Sequence, residues 1–394
     1  MPHCDKTPPV KKYSALLPIT LIVFVDVLGF TIVIPLLPFY AEHLGATPAA
    51  IGALVSVYAV CSLVAAPFLG RWSDRIGRKP VLLLSQFGTL AGFVMLALAP
   101  SLTWVFAARA LDGITAGNVA TARAYISDVT APKERTQAFG LIAAAFSFGY
   151  LIGPAGAGML SHYGQEVPLW IAAILSATSI LATQFLLPSA EPPARSPGPT
   201  TDDSPLRFLT MPGVGVRLWQ IFAFLLAFSC FTSGFALFCE RRLHWNGAPF
   251  GTSEVGLVLA YVGLLGLVMQ LGLLRPLVTR FGEAALVWRS FIVGALAYIA
   301  LGFVHSLPSL LLCLTFSGLA NSLLRPCLLG LISLQVAPNQ QGAVSGLTQS
   351  LQSLAMIAGP LIAGGLIEIG WLQGWALACA LTLLTALSLP YWKK

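Results

Sequence analysis

The sequence predicts an all-α membrane protein, with twelve transmembrane helices in two pseudo-symmetric six-helix bundles. Three observations predict it. Mean hydropathy is +0.82, and 57% of the 394 residues are apolar against 9% charged, where soluble domains carry about a quarter charged. Bilayer-length apolar segments recur along the whole chain, and at about 30 residues per span and loop the length holds roughly twelve. The second half also repeats landmarks of the first in one register.

The segments fall at roughly 15–40, 50–70, 80–100, 103–126, 137–160 and 168–188, then at 217–239, 254–274, 285–304, 308–334, 342–367 and 371–391. Between the two sets of six, 189–216 is rich in proline and charge and has no apolar period, as expected of a solvated linker. The expected division is therefore a bundle over 1–188, a linker over 189–216 and a bundle over 217–394. Gly153-Pro154 recurs as Gly359-Pro360, Pro132 as Pro338 and Gly140 as Gly346, each 206 residues on. Arg75-Ile76-Gly77 recurs as Arg280-Phe281-Gly282 at 205, with Thr279 where Asp74 stands in the first half. Parallel repeats of six helices place a substrate site near the bilayer midplane between the halves.

The net charge of +7 invites a nucleic-acid partner, but the cations collect in short loops of one side. Counted from a cytoplasmic N-terminus, the loops holding Arg71 to Lys79, Lys133 and Arg135, the linker, Arg275 and Arg280, and Lys393 and Lys394 are all cytoplasmic. The charge thus reports topology. Arg241 and Arg242 are the exceptions, and Glu240 beside them reads as their surface ion-pair partner. The N-terminus has lysines but no small-residue cleavage site and reads as a cytoplasmic tail. A multi-pass protein of the plasma (inner) membrane, both termini cytoplasmic, is expected. Seven dispersed cysteines, without CxxC spacing, read as reduced packing residues.

Gly70-Arg71-Trp72-Ser73-Asp74-Arg75-Ile76-Gly77-Arg78-Lys79 joins the second and third segments. Gly70 and Gly77 permit a tight turn, and Asp74 stands among four cations. A positive-inside loop explains the cations but not the glycines and the aspartate. The run resembles the G-x-x-x-D-R-x-G-R-[RK] loop of the major facilitator superfamily, and Pro80-Val81-Leu82-Leu83 continues the likeness as in its proton-driven drug antiporters, the tetracycline efflux antiporters among them. The resemblance implies the major facilitator fold and secondary active transport by alternating access. It makes Gly70, Asp74, Arg75, Gly77 and Arg78 parts of a gate.

Charged groups at bilayer depth cost about 2.5–3.5 kcal/mol on insertion scales, so each needs a partner or a role. Asp26 lies near the middle of segment 1 with no cation within a helical turn. It is either a structural carboxylate or, as the likeness of Asp26-Val27-Leu28-Gly29-Phe30 to the first helix of the tetracycline and multidrug antiporters implies, a residue of proton handling. Arg109 and Asp112, three apart, can pair along a helix, and Arg123 returns to nearly the same face. Arg109 and Asp112 read equally as a self-contained ion pair and, because Arg109-x-x-x-Gly113 looks like the family's fourth-helix motif, as proton-transfer residues. Arg123 with Asp128 is expected at the cytoplasmic gate. Gly149 to Gly158, including Gly153 and Pro154, matches the fifth-helix motif that the resemblance associates with exporters; small-residue packing alone is the other reading. Asp26, Asn118, Asn321, Arg325, Gln349 and Gln352 are the candidate substrate-binding residues, and Arg325 admits anionic, zwitterionic or chelated substrates.

No nucleophile elbow, Walker loop, zinc spacing or dinucleotide fingerprint is present, so no enzyme, cofactor or metal is expected. The sequence points to a monomer acting on a small-molecule substrate and protons within membrane lipid, with no nucleic-acid partner. The expected function is proton-coupled export of drug-like or amphipathic organic molecules. Import or facilitated passage of an anionic or polar metabolite is one alternative, and a non-transporting scaffold or receptor another.

Overall fold

The computed structural model describes residues 10–130, 135–188, 207–211, 213–337 and 340–388. The first half comprises α1 (Val10–His43), α2 (Pro48–Ile76), α3 (Arg78–Ala97), α4 (Leu102–Ile114), α5 (Asn118–Val129), α6 (Arg135–Leu160) and α7 (Val167–Leu186). The second comprises α8 (Arg207–Thr210), α9 (Val214–Arg242), α10 (Thr252–Val268), α11 (Leu274–Phe281), α12 (Glu283–Leu301), α13 (Leu307–Gln335), α14 (Gln341–Glu368) and α15 (Leu372–Thr385). Among the described residues, nine helical stretches are long and apolar enough to cross a membrane. The pair α4–α5, α6 and α15 take the other three places in the six-plus-six order.

Local chemistry sets the boundaries. Thr47 caps α2 by accepting from the Ala50 N–H, with Pro48 in the first turn, where a missing N–H is harmless. The expected turn from Gly70 to Lys79 is tighter than its sequence suggests: α2 runs on through Ile76, and Gly77 alone separates it from α3. Gly77 has φ 100°, ψ 161°, and its counterpart Gly282, between α11 and α12, has φ 75°, ψ 151°. Only glycine takes that backbone region without strain. Gly70 is helical, with open space where a side chain would lie, so it does not make the turn.

Three further expectations change. Segment four is broken: α4 ends at Ile114 and α5 starts at Asn118, so the face drawn through Arg109, Asp112 and Arg123 does not exist. Segment eight contains a π-helical turn, Met269–Leu273. The linker as drawn includes structured residues, since α8 and the start of α9 lie within 207–216 and Phe208 is buried; 189–206 lie outside the described residues. A two-rung β ladder, β1 (His244–Trp245) with β2 (Ala248–Pro249), closes the α9–α10 connection. Its turn, Asn246-Gly247, has positive φ at both residues, the usual chemistry of a two-residue hairpin.

The two bundles pack alike. α1 lies on α6 and α7, as α9 lies on α14 and α15, and α2 packs on α14 and α6 on α10 across the halves. The repeated glycine-proline pair explains both contacts. A Cβ at Gly153 would collide with Thr31 of α1, and one at Gly359 with Ser229 and Cys230 of α9. The following prolines face the opposite half, where Pro154 O and Pro360 O approach Gly256 and Gly52 so closely that a Cβ there would not fit. Their companions Pro132 and Pro338 lie outside the described residues. The interiors differ. The second holds an aromatic cluster, Phe231, Phe235, Phe238, Tyr298 and Trp375, beside a buried Arg217–Gln220 pair, whereas the first gathers Gln86, Arg109, Asp112, Ser176 and Ser179.

Candidate functional site

At the basic end, where Gly77 turns the chain, Arg78 is the hub. It binds Asp74, donates through Nε to Asp128 Oδ2 at 2.8 Å and reaches Ser73 Oγ at 3.1 Å. Asp128 is therefore engaged by Arg78, which also holds Asp74. Lys79 Nζ donates to Gln184 O and Leu187 O at the C-terminus of α7, capping carbonyls the helix leaves unpaired. Arg75 is exposed. Among the described residues, no hydrogen bond or ion pair links this hairpin to the second half.

Inside the first bundle, Arg109 Nη1 donates to Asp112 Oδ2 at 3.0 Å, with the residues 4% and 7% exposed. Thr89 Oγ1 donates to the other Asp112 oxygen at 3.0 Å, and the guanidinium lies over the Tyr58 ring, 4.5 Å from its centroid. Asp26 faces Asp112, Gln86 and Ser179, all in the first half. Both its oxygens are buried, and no hydrogen bond satisfies either of them among the described residues. Asp112 is thus fully partnered and Asp26 is not. Sequence reasoning missed Tyr58, Gln86, Thr89 and Ser179. Gln86 alone carried a signal, as an amide in the middle of an apolar segment.

Between the halves, Arg123 on α5 and Arg325 on α13 interact electrostatically, both reachable by solvent, and Tyr150 of α6 stands near Arg325. Arg325 Nη2 donates to Gln352 Oε1 of α14 at 3.1 Å, and Gln349 is exposed one turn earlier. Ser147 of α6 donates to Gln270 of the π turn at 2.8 Å. Asn118 opens α5 with its Oδ1 buried and unbonded among the described residues. Asn321 stands elsewhere: its Nδ2 donates to Tyr298 OH at 3.0 Å, inside the aromatic core of the second bundle.

At the far end the halves are joined. Glu368 Oε2 accepts from Ala49 N at 2.9 Å and Thr47 Oγ1 at 3.0 Å, placing a carboxylate at the N-terminus of α2. That position favours negative charge. Arg241 reaches Glu42 at 3.4 Å and Ile367 O at 2.9 Å. Ser253 donates to Gly158 O and meets His162, and Ser56 donates to Ile357 O. The surface pair expected of Glu240 is corrected, since Arg241 crosses to Glu42 and Arg242 binds Val304 O. The two cations that broke the charge rule are therefore structural.

Known proteins share this arrangement. The Major Facilitator Superfamily model matches residues 19–283 and 250–393. The class D tetracycline resistance protein of Salmonella ordonez is 32% identical, over 86% of each chain. Multidrug resistance protein 2 of Bacillus subtilis (strain 168) is 27% identical over 88% of this chain and 87% of its own. The crystal structure of the human organic anion transporter MFSD10 (TETRAN) superposes with a TM-score of 0.72 at 25% identity, covering 96% of this chain and 99% of that one. The family is one of transporters and not of enzymes, and the two-bundle fold agrees with the sequence match. This chain is an integral membrane protein of the major facilitator superfamily, a secondary transporter.

Proposed function

We propose that the protein exports drug-like or amphipathic organic molecules in exchange for protons, and that Asp26 carries the proton. The observation that carries this reading is the Asp26 carboxyl, buried without a hydrogen bond beside an Arg109–Asp112 pair that is already complete. An ionised carboxylate in a desolvated bundle, with no charged partner of its own among the described residues, is costly, and taking up a proton removes that cost. Arg109 and Asp112 hold the neighbouring charge fixed. The tetracycline and multidrug resistance relatives support export, and the positive-inside rule makes the basic end cytoplasmic. Both termini lie on that side in the plasma (inner) membrane, and the polar contacts between the halves at the far end support a state closed to the outside. A monomer in lipid is sufficient for this cycle.

The test is accumulation in proteoliposomes under an imposed pH difference. Asp26→Asn should abolish uphill movement while leaving substrate exchange at equilibrium. If the variant still concentrates substrate, the proton sits elsewhere, with Asp112 the next group to examine.

Arg123 and Arg325 carry a statement about substrate class. Two solvent-reachable arginines near enough to act on one another, one of them bonded to Gln352, favour a molecule bearing an anionic or zwitterionic group. The same arginines suit a second reading, proton-coupled import or facilitated passage of an anionic metabolite. Counterflow with tetracyclines, lipophilic cations and organic anions separates the two.

A further inference from the structure

A carboxyl that carries a proton needs neighbours that donate to it when it is ionised and accept from it when it is protonated. Arginine only donates and a carboxylate only accepts, whereas an amide and a hydroxyl do both. The two buried acids of the first bundle differ in this respect. Asp112 is held by donors, Arg109 Nη1 and Thr89 Oγ1. Asp26 faces the Gln86 amide of α3 and the Ser179 hydroxyl of α7. Gln86 is 0% exposed and Ser179 1%. Gln86 Nε2 donates to Ser179 Oγ at 2.7 Å, which leaves the Ser179 proton free to donate elsewhere. Gln86 Oε1 is buried with no donor among the described residues, and so are both Asp26 oxygens. An orphaned acceptor and an acid without a hydrogen bond among the described residues are thus buried as neighbours.

We propose that Gln86 and Ser179 are positioning residues for the Asp26 proton, bonding the carboxyl in both of its states as the Gln86 amide turns over. When Asp26 is ionised, a Gln86 N–H and the Ser179 O–H donate to its oxygens. When Asp26 is protonated, its O–H donates to Gln86 Oε1, the amide nitrogen satisfies Ser179 Oγ, and the Ser179 O–H donates to the carboxyl C=O. Only the carboxyl O–H bond is made or broken, and the proton is exchanged with water. The charged groups facing Asp26 are Asp112 and, through it, Arg109, both on α4. α6 meets α1 here through Gly149 and Gly153, and α5 through the apolar Ala122 and Ile126. The proton state of Asp26 therefore alters how α1 is tied to α3 and α7.

This inference rests on the reading of Asp26 as the proton carrier, and infrared difference spectra of the full-length protein, recorded across the physiological pH range, test the two separately. The protonated Asp26 C=O band is assigned by its loss in Asp26→Asn. In Gln86→Leu, which keeps the side-chain volume, that band should move to higher frequency because its hydrogen-bonding partner is gone. Ser179→Ala should move it too, and Ser179→Thr, which keeps the hydroxyl, should restore the wild-type position. Melting midpoints identify any variant that fails to fold, and the Ser179 pair decides the matter if Gln86→Leu does. An Asp26 band that titrates normally but stays in place in Gln86→Leu and Ser179→Ala overturns the role of the pair and leaves the proton carrier standing. Absence of any titrating Asp26 band in the wild type overturns both.

Discussion

Arg109 and Asp112 show how a buried charge is tolerated: each is the other's partner, Thr89 completes the carboxylate and Tyr58 lies under the guanidinium. Removing one member strands the other. Arg109→Ala should cost about 3–5 kcal/mol of stability, read as a lower melting midpoint in detergent, with Asp112→Asn milder because it removes the charge that needs answering. An unchanged midpoint in Arg109→Ala would remove the pair from the stability account. Arg325 differs, being reachable by solvent and bonded to Gln352. Arg325→Ala should weaken binding of anionic or zwitterionic ligands far more than of permanently cationic dyes. Arg325→Lys should recover only part of it, since the planar fork is lost. Equal loss for every ligand class, with a lower melting midpoint, would make Arg325 structural. The Arg109–Asp112 pair was legible in the sequence because its members are three apart on one helix. Thr89, Tyr58, Gln86 and Ser179 were not, because they arrive from α2, α3 and α7.

At the scale of elements, the hairpin between α2 and α3 hangs on one residue. Gly77 holds φ 100°, whereas Gly70 is helical with open space around it. Gly77→Ala should therefore destabilise the protein by about 1–3 kcal/mol, while Gly70→Ala should be neutral or stabilising by up to about 1 kcal/mol. Thermal melts of the two variants check this, and the reverse order would show that the turn is made at Gly70 after all. Both glycines look alike in sequence. What distinguishes them is how far α2 continues. The break between α4 and α5 is a similar case: read as one segment, its helical periodicity carried Arg123 onto the face of Arg109 and Asp112, but the chain leaves that helix over 115–117, before Arg123 is reached.

For the whole molecule, several polar contacts join the halves at the far end, whereas among the described residues none links the hairpin at the basic end to the second half; between these ends Ser147 bonds Gln270 across the halves. Asp74 is 61% exposed in its side chain and pairs with Arg78, four residues on, a contact worth about 0–1 kcal/mol at such exposure. Asp74→Asn should accordingly leave the melting midpoint and ligand affinity nearly unchanged and slow transport greatly, because it acts in the state where the basic end closes. Full turnover in that variant would withdraw the gate. Glu368, on the N-terminus of α2, belongs to the opposite closure. Glu368→Ala should raise the reactivity of a Ser56→Cys reporter toward a membrane-impermeant thiol reagent added from the far side. No increase would show that the glycine-proline seam closes that end unaided.

The sequence by itself determined that the solvent is lipid, that apolar segments recur six and six in one register and that 70–79 is a short cationic turn resembling the family's loop. These follow from composition, from a shared register and from spacing along a single helix, all one-dimensional properties. Only the tertiary structure decided which charges are answered. Arg78 takes both Asp74 and Asp128, Arg241 crosses to Glu42, Asn321 turns into the aromatic core and Asp26 is left beside Gln86 and Ser179. The physical reason is common to all four. In a medium without water a polar group must bond whatever neighbouring helix comes within about 3 Å, and helix neighbours are set by packing across dozens of residues of separation, which no local pattern records.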